Sequence, residues 1–205
     1  LITTSTGAIT LNGTGITGVA IADNGTTITV VDGAVSITGT SNGAGATHVG
    51  VGLSDATVSS SGSAGTGTIA ITGTGGSGAG DHGILINASL EDSTVSSVTG
   101  DITLTGTGGT AASSHGILLD ATSGFNGAVV STGSADITLI GTAGGAGVGI
   151  QTQNGGGGAV NVIGDATMTG NITLRASTTG GADSISLANL TIDGTGAVIM
   201  EPGAA

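Results

Sequence analysis

Along the chain, isoleucine, valine and leucine alternate with threonine, serine and asparagine at a period of two residues, in short bursts separated by glycine. One series reads Val35-Ser36-Ile37, Ile69-Ala70-Ile71, Ile102-Thr103-Leu104, Ile137-Thr138-Leu139 and Ile172-Thr173-Leu174, in steps of 34, 33, 35 and 35 residues. A second series follows four glycines set 33 residues apart, Gly50, Gly83, Gly116 and Gly149. It reads Val51-Gly52-Leu53, Ile84-Leu85-Ile86, Ile117-Leu118-Leu119 and Ile150-Gln151-Thr152. A third, less regular series comes later in each repeat: Thr57-Val58, Thr94-Val95, Val129-Val130 and Val160-Asn161-Val162. Alternation at period two predicts half-buried strands. A fixed beat of this length predicts a solenoid.

Three strands per repeat with glycine-rich corners predict an all-β fold: a single-stranded parallel β-helix of about six coils, three strands per coil. The chirality of parallel crossovers favours a right-handed coil. Equal positions in successive coils then stack about 4.8 Å apart. Ile69, Ile102, Ile137 and Ile172 form one inward ladder, Ile71, Leu104, Leu139 and Leu174 another, and Val51, Ile84, Ile117 and Ile150 a third. The glycine clusters, including Gly73-Thr74-Gly75 and Gly106-Thr107-Gly108, read as turns where positive φ is needed. A single coil cannot bury enough to offset the entropy of ordering it, so neighbouring coils must share burial and ladder bonds.

Residues 1–205 read as one β-solenoid domain, regular from 35 to 175, with an irregular first coil over 1–34 and last coil over 176–205. Ile9 to Val35 is only 26 residues, and Asp183-Ser184-Ile185-Ser186-Leu187 resembles the second strand of a coil but sits late. Neither end carries an obvious polar cap, which a solenoid needs to avoid edge-to-edge association. The abrupt start at Leu1-Ile2-Thr3-Thr4 and end at Glu201-Pro202-Gly203-Ala204-Ala205 suggest a segment of a longer chain or a polymerising subunit.

Composition narrows the function. The chain has 44 glycines, one aromatic residue (Phe125) and no cysteine. A net charge of −12, with Arg175 the one basic residue, gives no footprint for nucleic acid and no attraction to anionic membranes. No apolar run approaches the roughly 18 residues of a membrane span. Lysine chemistry is absent, and a lone arginine without aromatic platforms does not make a polysaccharide-degrading site. Ser114, His115 and Asp120 can be picked out as a triad, but serine is too common here for that to mean catalysis. The expectation is a non-enzyme.

The units Gly100-Asp101-Ile102-Thr103-Leu104-Thr105-Gly106-Thr107-Gly108-Gly109 and Ser114-His115-Gly116-Ile117-Leu118-Leu119 resemble repeats of large bacterial exoproteins. These are the Gly/Thr/Ser-rich β-solenoid stalks of filamentous-haemagglutinin-like and autotransporter-like surface adhesins, and the resemblance covers residues 8–190. It implies secretion to the extracellular space or bacterial cell surface and a rod serving display, adhesion or biofilm structure. The partners it implies are host or matrix glycans. The open repeat ends add self-association end to end, as a shaft or fibre. The competing expectation is a carbohydrate-, calcium- or ice-binding module.

Four residues are candidate metal ligands. Asp101 and Asp136 precede equivalent isoleucines and stack, two carboxylates whose repulsion a Ca²⁺ would relieve. Gly180-Gly181-Ala182-Asp183 is a fragment of a calcium-binding repeat that does not recur. His82 and His115 share a register that Val49 and Val148 occupy in the outer coils, and two stacked imidazoles could share Zn²⁺ or Cu²⁺. His48 sits one residue out of that register. Thr-x-Thr units at Thr27-Ile28-Thr29, Thr72-Gly73-Thr74, Thr105-Gly106-Thr107 and Thr167-Met168-Thr169 suggest an ice-ordering surface. They fall on different parts of the coil, two of them across a glycine turn, so outward threonine reads as ordinary strand preference. Asn12, Asn24, Asn87, Asn171 and Asn189 begin glycosylation-type triplets.

Overall fold

The period-two bursts form strands, and strands one repeat apart pair in parallel. The computed structural model describes residues 1–62, 66–122, 124–131, 133–179 and 184–203. The Gly180-Asp183 fragment lies outside the described residues. Three parallel sheets make the walls of a β-solenoid. The first contains Ile2–Thr4, Thr26–Val30, Ala56–Ser60, Ser93–Ser97, Gly127–Ser131, Asn161–Gly164 and Leu190–Asp193. The second contains Ile9–Gly15, Val35–Ser41, Ile69–Thr74, Ile102–Thr107, Ile137–Ala143, Ile172–Thr178 and Val198–Pro202. The third contains Val19–Ile21, Val51–Ser54, Ile84–Ala88, Ile117–Ala121, Ile150–Asn154 and Ile185–Ser186. One strand from each sheet makes a coil, so among the described residues the six strands of the third sheet complete six coils, with Leu190–Asp193 and Val198–Pro202 following.

The inward ladders of the second and third sheets fall in the predicted register. Ile69, Ile102, Ile137 and Ile172 pair in sequence, with Ile71, Leu104, Leu139 and Leu174 beside them. Val51, Ile84, Ile117 and Ile150 do the same on the third sheet, and all twelve side chains are buried. On the first sheet the register differs from the sequence reading in one coil. Val58, Val95 and Val129 continue into Ile163, not into Val160 or Val162. Asn161 is itself fully buried and donates to the Gln153 carbonyl at 2.8 Å, so hydropathy misplaces this strand.

The Gly-Thr-Gly units are also not turns. Gly39, Gly73, Gly106 and Gly141 lie inside strands of the second sheet and pair with one another. A Cβ at Gly73 would collide with the Gly83 carbonyl oxygen, and Gly39, Gly106 and Gly141 meet the Gly50, Gly116 and Gly149 carbonyls in the same way. A Cβ at Gly83 would in turn strike the backbone of Thr107. Neither set has positive φ; that conformation belongs to others, such as Gly80 and Gly145. Close approach of two backbone segments recurs once per coil and accounts for the glycines that mark the beat.

Both ends taper to coils of 26 residues. Ile2 pairs with Ile28 and Ile9 with Val35, and Ile172 pairs with Val198. At the far end Val198 and Met200 occupy the register of buried Ile172 and Leu174 but are 49% and 55% exposed. Pro202, the single proline of the chain, stands in the register of Ala176. Gly203 donates to the Ala176 carbonyl at 2.7 Å, so by strand alternation the Pro202 nitrogen faces away from Ile172–Thr178, and its missing N–H costs this ladder nothing.

Candidate functional site

The candidate histidines lie where the chain leaves the second sheet and enters the third. The residue before each corner glycine is Val49, His82, His115 or Val148. The two imidazoles stack with ring centroids 5.0 Å apart and planes 11° from parallel. His82 Nδ1 accepts the N–H of His115 at 3.1 Å, and His115 Nδ1 accepts that of Val148 at 2.9 Å. Each ring is therefore a strap to the next coil, and in its neutral form carries its proton on Nε2. Burial, reinforced by the charge of a protonated His115 neighbour, lowers the His82 pKa from 6.5 to about 4 against the opposing pull of Asp81. Burial lowers His115 as well. The structure thus brings the two histidines together as predicted. Parallel rings at this separation do not aim their nitrogens at one point, and with each Nδ1 holding a backbone N–H, Nε2 is the nitrogen left to each ring for a metal.

Asp81 extends the same corner inward. Its carboxylate is fully buried and accepts from the N–H groups of His48 and Gly78, each at 2.7 Å. Its own N–H donates to Ser114 Oγ at 3.2 Å, and Ser114 Oγ donates to the Gly78 carbonyl at 3.2 Å. His48 packs its ring over Gly43, and its buried Nδ1 has no hydrogen-bond partner among the described residues.

Asp101 and Asp136 do stack one coil apart, at the entrance to the second sheet. Asp101 Oδ1 accepts the N–H of Asp136 at 2.9 Å, and Asp136 Oδ1 accepts that of Asn171 at 2.7 Å. Asn171 Oδ1 repeats the bond to the N–H of Ala197 at 3.1 Å. Both carboxylates are exposed and run as a column of backbone acceptors along the rod. Among the described residues no three His, Asp or Glu side chains gather into a metal-binding group.

One important carboxylate escapes sequence reading. Asp55 alone forms the corner between Val51–Ser54 and Ala56–Ser60, at φ 54°. It is buried, and its oxygens accept the N–H groups of Ser89, Leu90 and Glu91 at 2.8, 2.9 and 3.1 Å and the Ser89 hydroxyl at 3.0 Å. Burial would raise its pKa, but the bonds from Leu90, Ser89 and Glu91 outweigh it and hold the group below 3.8. The available signal was an aspartate at a strand end with no glycine to turn on, since Asp tolerates the left-handed region better than most residues.

The threonines also fall differently. Thr72-Gly73-Thr74 and Thr105-Gly106-Thr107 are not split by a turn; they lie in register on the outer face of the second sheet, beside Thr38-Gly39-Thr40. Thr27-Ile28-Thr29 belongs to the first sheet, and Thr167-Met168-Thr169 lies outside any strand.

The histidine and aspartate chemistry is thus directed at the backbone of neighbouring coils: it fastens one rung to the next. Compared with known proteins, the chain matches no family model, no curated protein and no solved structure.

Proposed function

We propose that the chain is a non-catalytic shaft segment of a secreted bacterial surface adhesin or extracellular fibre, lengthened by coils stacking end to end. The observation that carries this reading is the exposed apolar edge of the Val198–Pro202 strand. Among the described residues Val198 and Met200 stand in inward register yet are exposed, while the same positions are buried in every interior coil of the second sheet. Ile2, in the register of buried Ile28, is 46% exposed at the other end. An unpaired strand edge with apolar side chains is a template for another coil, and a head-to-tail contact of this kind does not close, so it yields a rod. Pro202 removes one edge donor and leaves the contact to residues 198 and 200. The resemblance of the repeats to adhesin stalks supports an extracellular setting.

Sedimentation and negative-stain electron microscopy over a concentration series test this reading. The expected result is rods that lengthen with concentration and are lost in Met200→Asp. A chain that stays monomeric throughout overturns end-to-end stacking.

A further inference from the structure

The outer face of the second sheet is an ordered array that the shaft does not need. Three columns run along the rod. One contains Thr14, Thr40, Thr74, Thr107 and Thr142, in unbroken register across five coils. The next contains Asn12, Thr38, Thr72 and Thr105, and ends at Ile140 and Arg175. The last contains Thr10, Ser36, Ala70, Thr103, Thr138 and Thr173. Neighbours within a column are about 4.8 Å apart and neighbours across columns about 6.6 Å, from strand spacing and rise per residue. The result is a two-dimensional grid in which each threonine presents a hydroxyl and a methyl, interrupted at Asn12, Ser36, Ala70, Ile140 and Arg175.

Three features specify what such a grid can meet. First, its geometry is fixed. Threonine has a restricted χ1 in a strand, and Gly39, Gly73 and Gly106 pin the strand beneath against the corner carbonyls. Second, it is uncharged over five coils in a chain of net charge −12: the first acid or base in these columns is Arg175, on the strand of Thr173, which pairs with Glu201 at 2.6 Å. Asp101 and Asp136 flank the face, each with one oxygen bonded to a backbone N–H. A charged partner would find no counter-charge here, so the complementary occupant is neutral. Third, there is no aromatic ring on it for sugar stacking; Phe125 lies between strands of the third and first sheets. A small soluble ligand would touch one or two nodes, each worth little. Only a partner with its own lattice engages all of them at once.

We propose that this face binds the surface of ice, its hydroxyls joining the hydrogen-bonded lattice and its methyls ordering the water between them. The first sheet carries only a shorter, serine-mixed version over three coils, Thr27, Thr57 and Thr94 beside Thr29, Ser59 and Ser96, and the third sheet has none. The third sheet presents Gly52, Leu85, Leu118 and Gln151 in one column, and Ser54, Asn87, Asp120 and Gln153 in the next.

The test is incorporation into a growing ice hemisphere, using protein labelled at its amino terminus, the one amine in a chain without lysine. Microscopy of crystal shape in a freezing droplet is the second readout. Wild type is expected to enter the ice and to facet the crystals. Thr72→Lys with Thr105→Lys is expected to lose both effects while keeping the wild-type circular dichroism spectrum and melting curve. Asn87→Lys, on the third sheet, is expected to behave as wild type. Exclusion of wild type from ice overturns the proposal, and so does full incorporation of the double variant. Rod formation is scored separately, so failure here leaves the stacking result standing, and the reverse.

Discussion

Between the second and third sheets every interior coil turns through the same glycine, whereas between the third and first sheets no two neighbouring coils turn alike. The second kind of corner ranges from Asp55 alone to the six residues between Asn154 and Asn161. The first is a contact of backbone on backbone, Gly73 against Gly83 and its equivalents, which only one residue type satisfies. The second is held by side chains on backbone: Asp55 in one coil, Ser93 on the Asn87 carbonyl in the next, and Asn126 accepting from Val160 further along. Several residue types can do that work, so nothing recurs. A repeat is legible where its constraint admits one answer.

The largest expected effect follows from the glycine corner. Gly83→Val places a side chain against the backbone of Thr107 and the Gly116 carbonyl, and should cost about 4 kcal/mol in urea unfolding. A cost no greater than that of an Asp55 substitution would erase the distinction between the corners.

Next comes acid sensitivity at the same corner. His82 titrates at 6.5 unfolded and at about 4 folded, so the unfolded chain takes up its proton first as pH falls. The contribution of neutral His82 is complete above pH 6.5 and is lost as pH falls to about 4, a change of about 3 kcal/mol. His115 adds in the same direction. Protonation at Nδ1 also removes the acceptor for the next coil. His82→Val, using the residue found at Val49 and Val148, should flatten this part of a stability-versus-pH curve.

The smallest effect belongs to the variable corner. Asp55→Ala leaves the Ser89, Leu90 and Glu91 N–H groups without their acceptor and should cost about 2 kcal/mol. Asp55→Asn, which keeps a left-handed-tolerant residue and one acceptor, should cost less. With its folded pKa below 3.8, the ionised Asp55 contributes fully above that value and is lost only in stronger acid. The two corners should therefore fail in separate pH windows, and hydrogen exchange across a pH series would show whether they do.

The sequence carried the fold clearly where inward positions are aliphatic. Ile102 and Leu104 announce a buried face by alternation alone, and the second and third sheets follow. The first sheet buries Ser60, Ser93, Ser97 and Asn161 at inward or corner positions, where hydropathy has no contrast to show, so one strand register slips. The candidate ligands were located correctly as stacked pairs, but their role was hidden. Whether Asp101 faces an ion or the N–H of Asp136 depends on a backbone one coil away, at a distance only the folded register defines. The threonine grid was hidden by a glycine: Gly73 reads as a turn until its close contact with Gly83 shows why a strand must contain it.

The ladder bonds of all three sheets run along the rod, from each coil to the next. Tension applied between the two ends therefore loads them one rung at a time. A released coil of 33 residues reaches about 110 Å of extended chain, where it had occupied about 4.8 Å of rod. Such a shaft is stiff up to a threshold and then yields coil by coil, dissipating a pull as length and rewinding against neighbours that still hold the register.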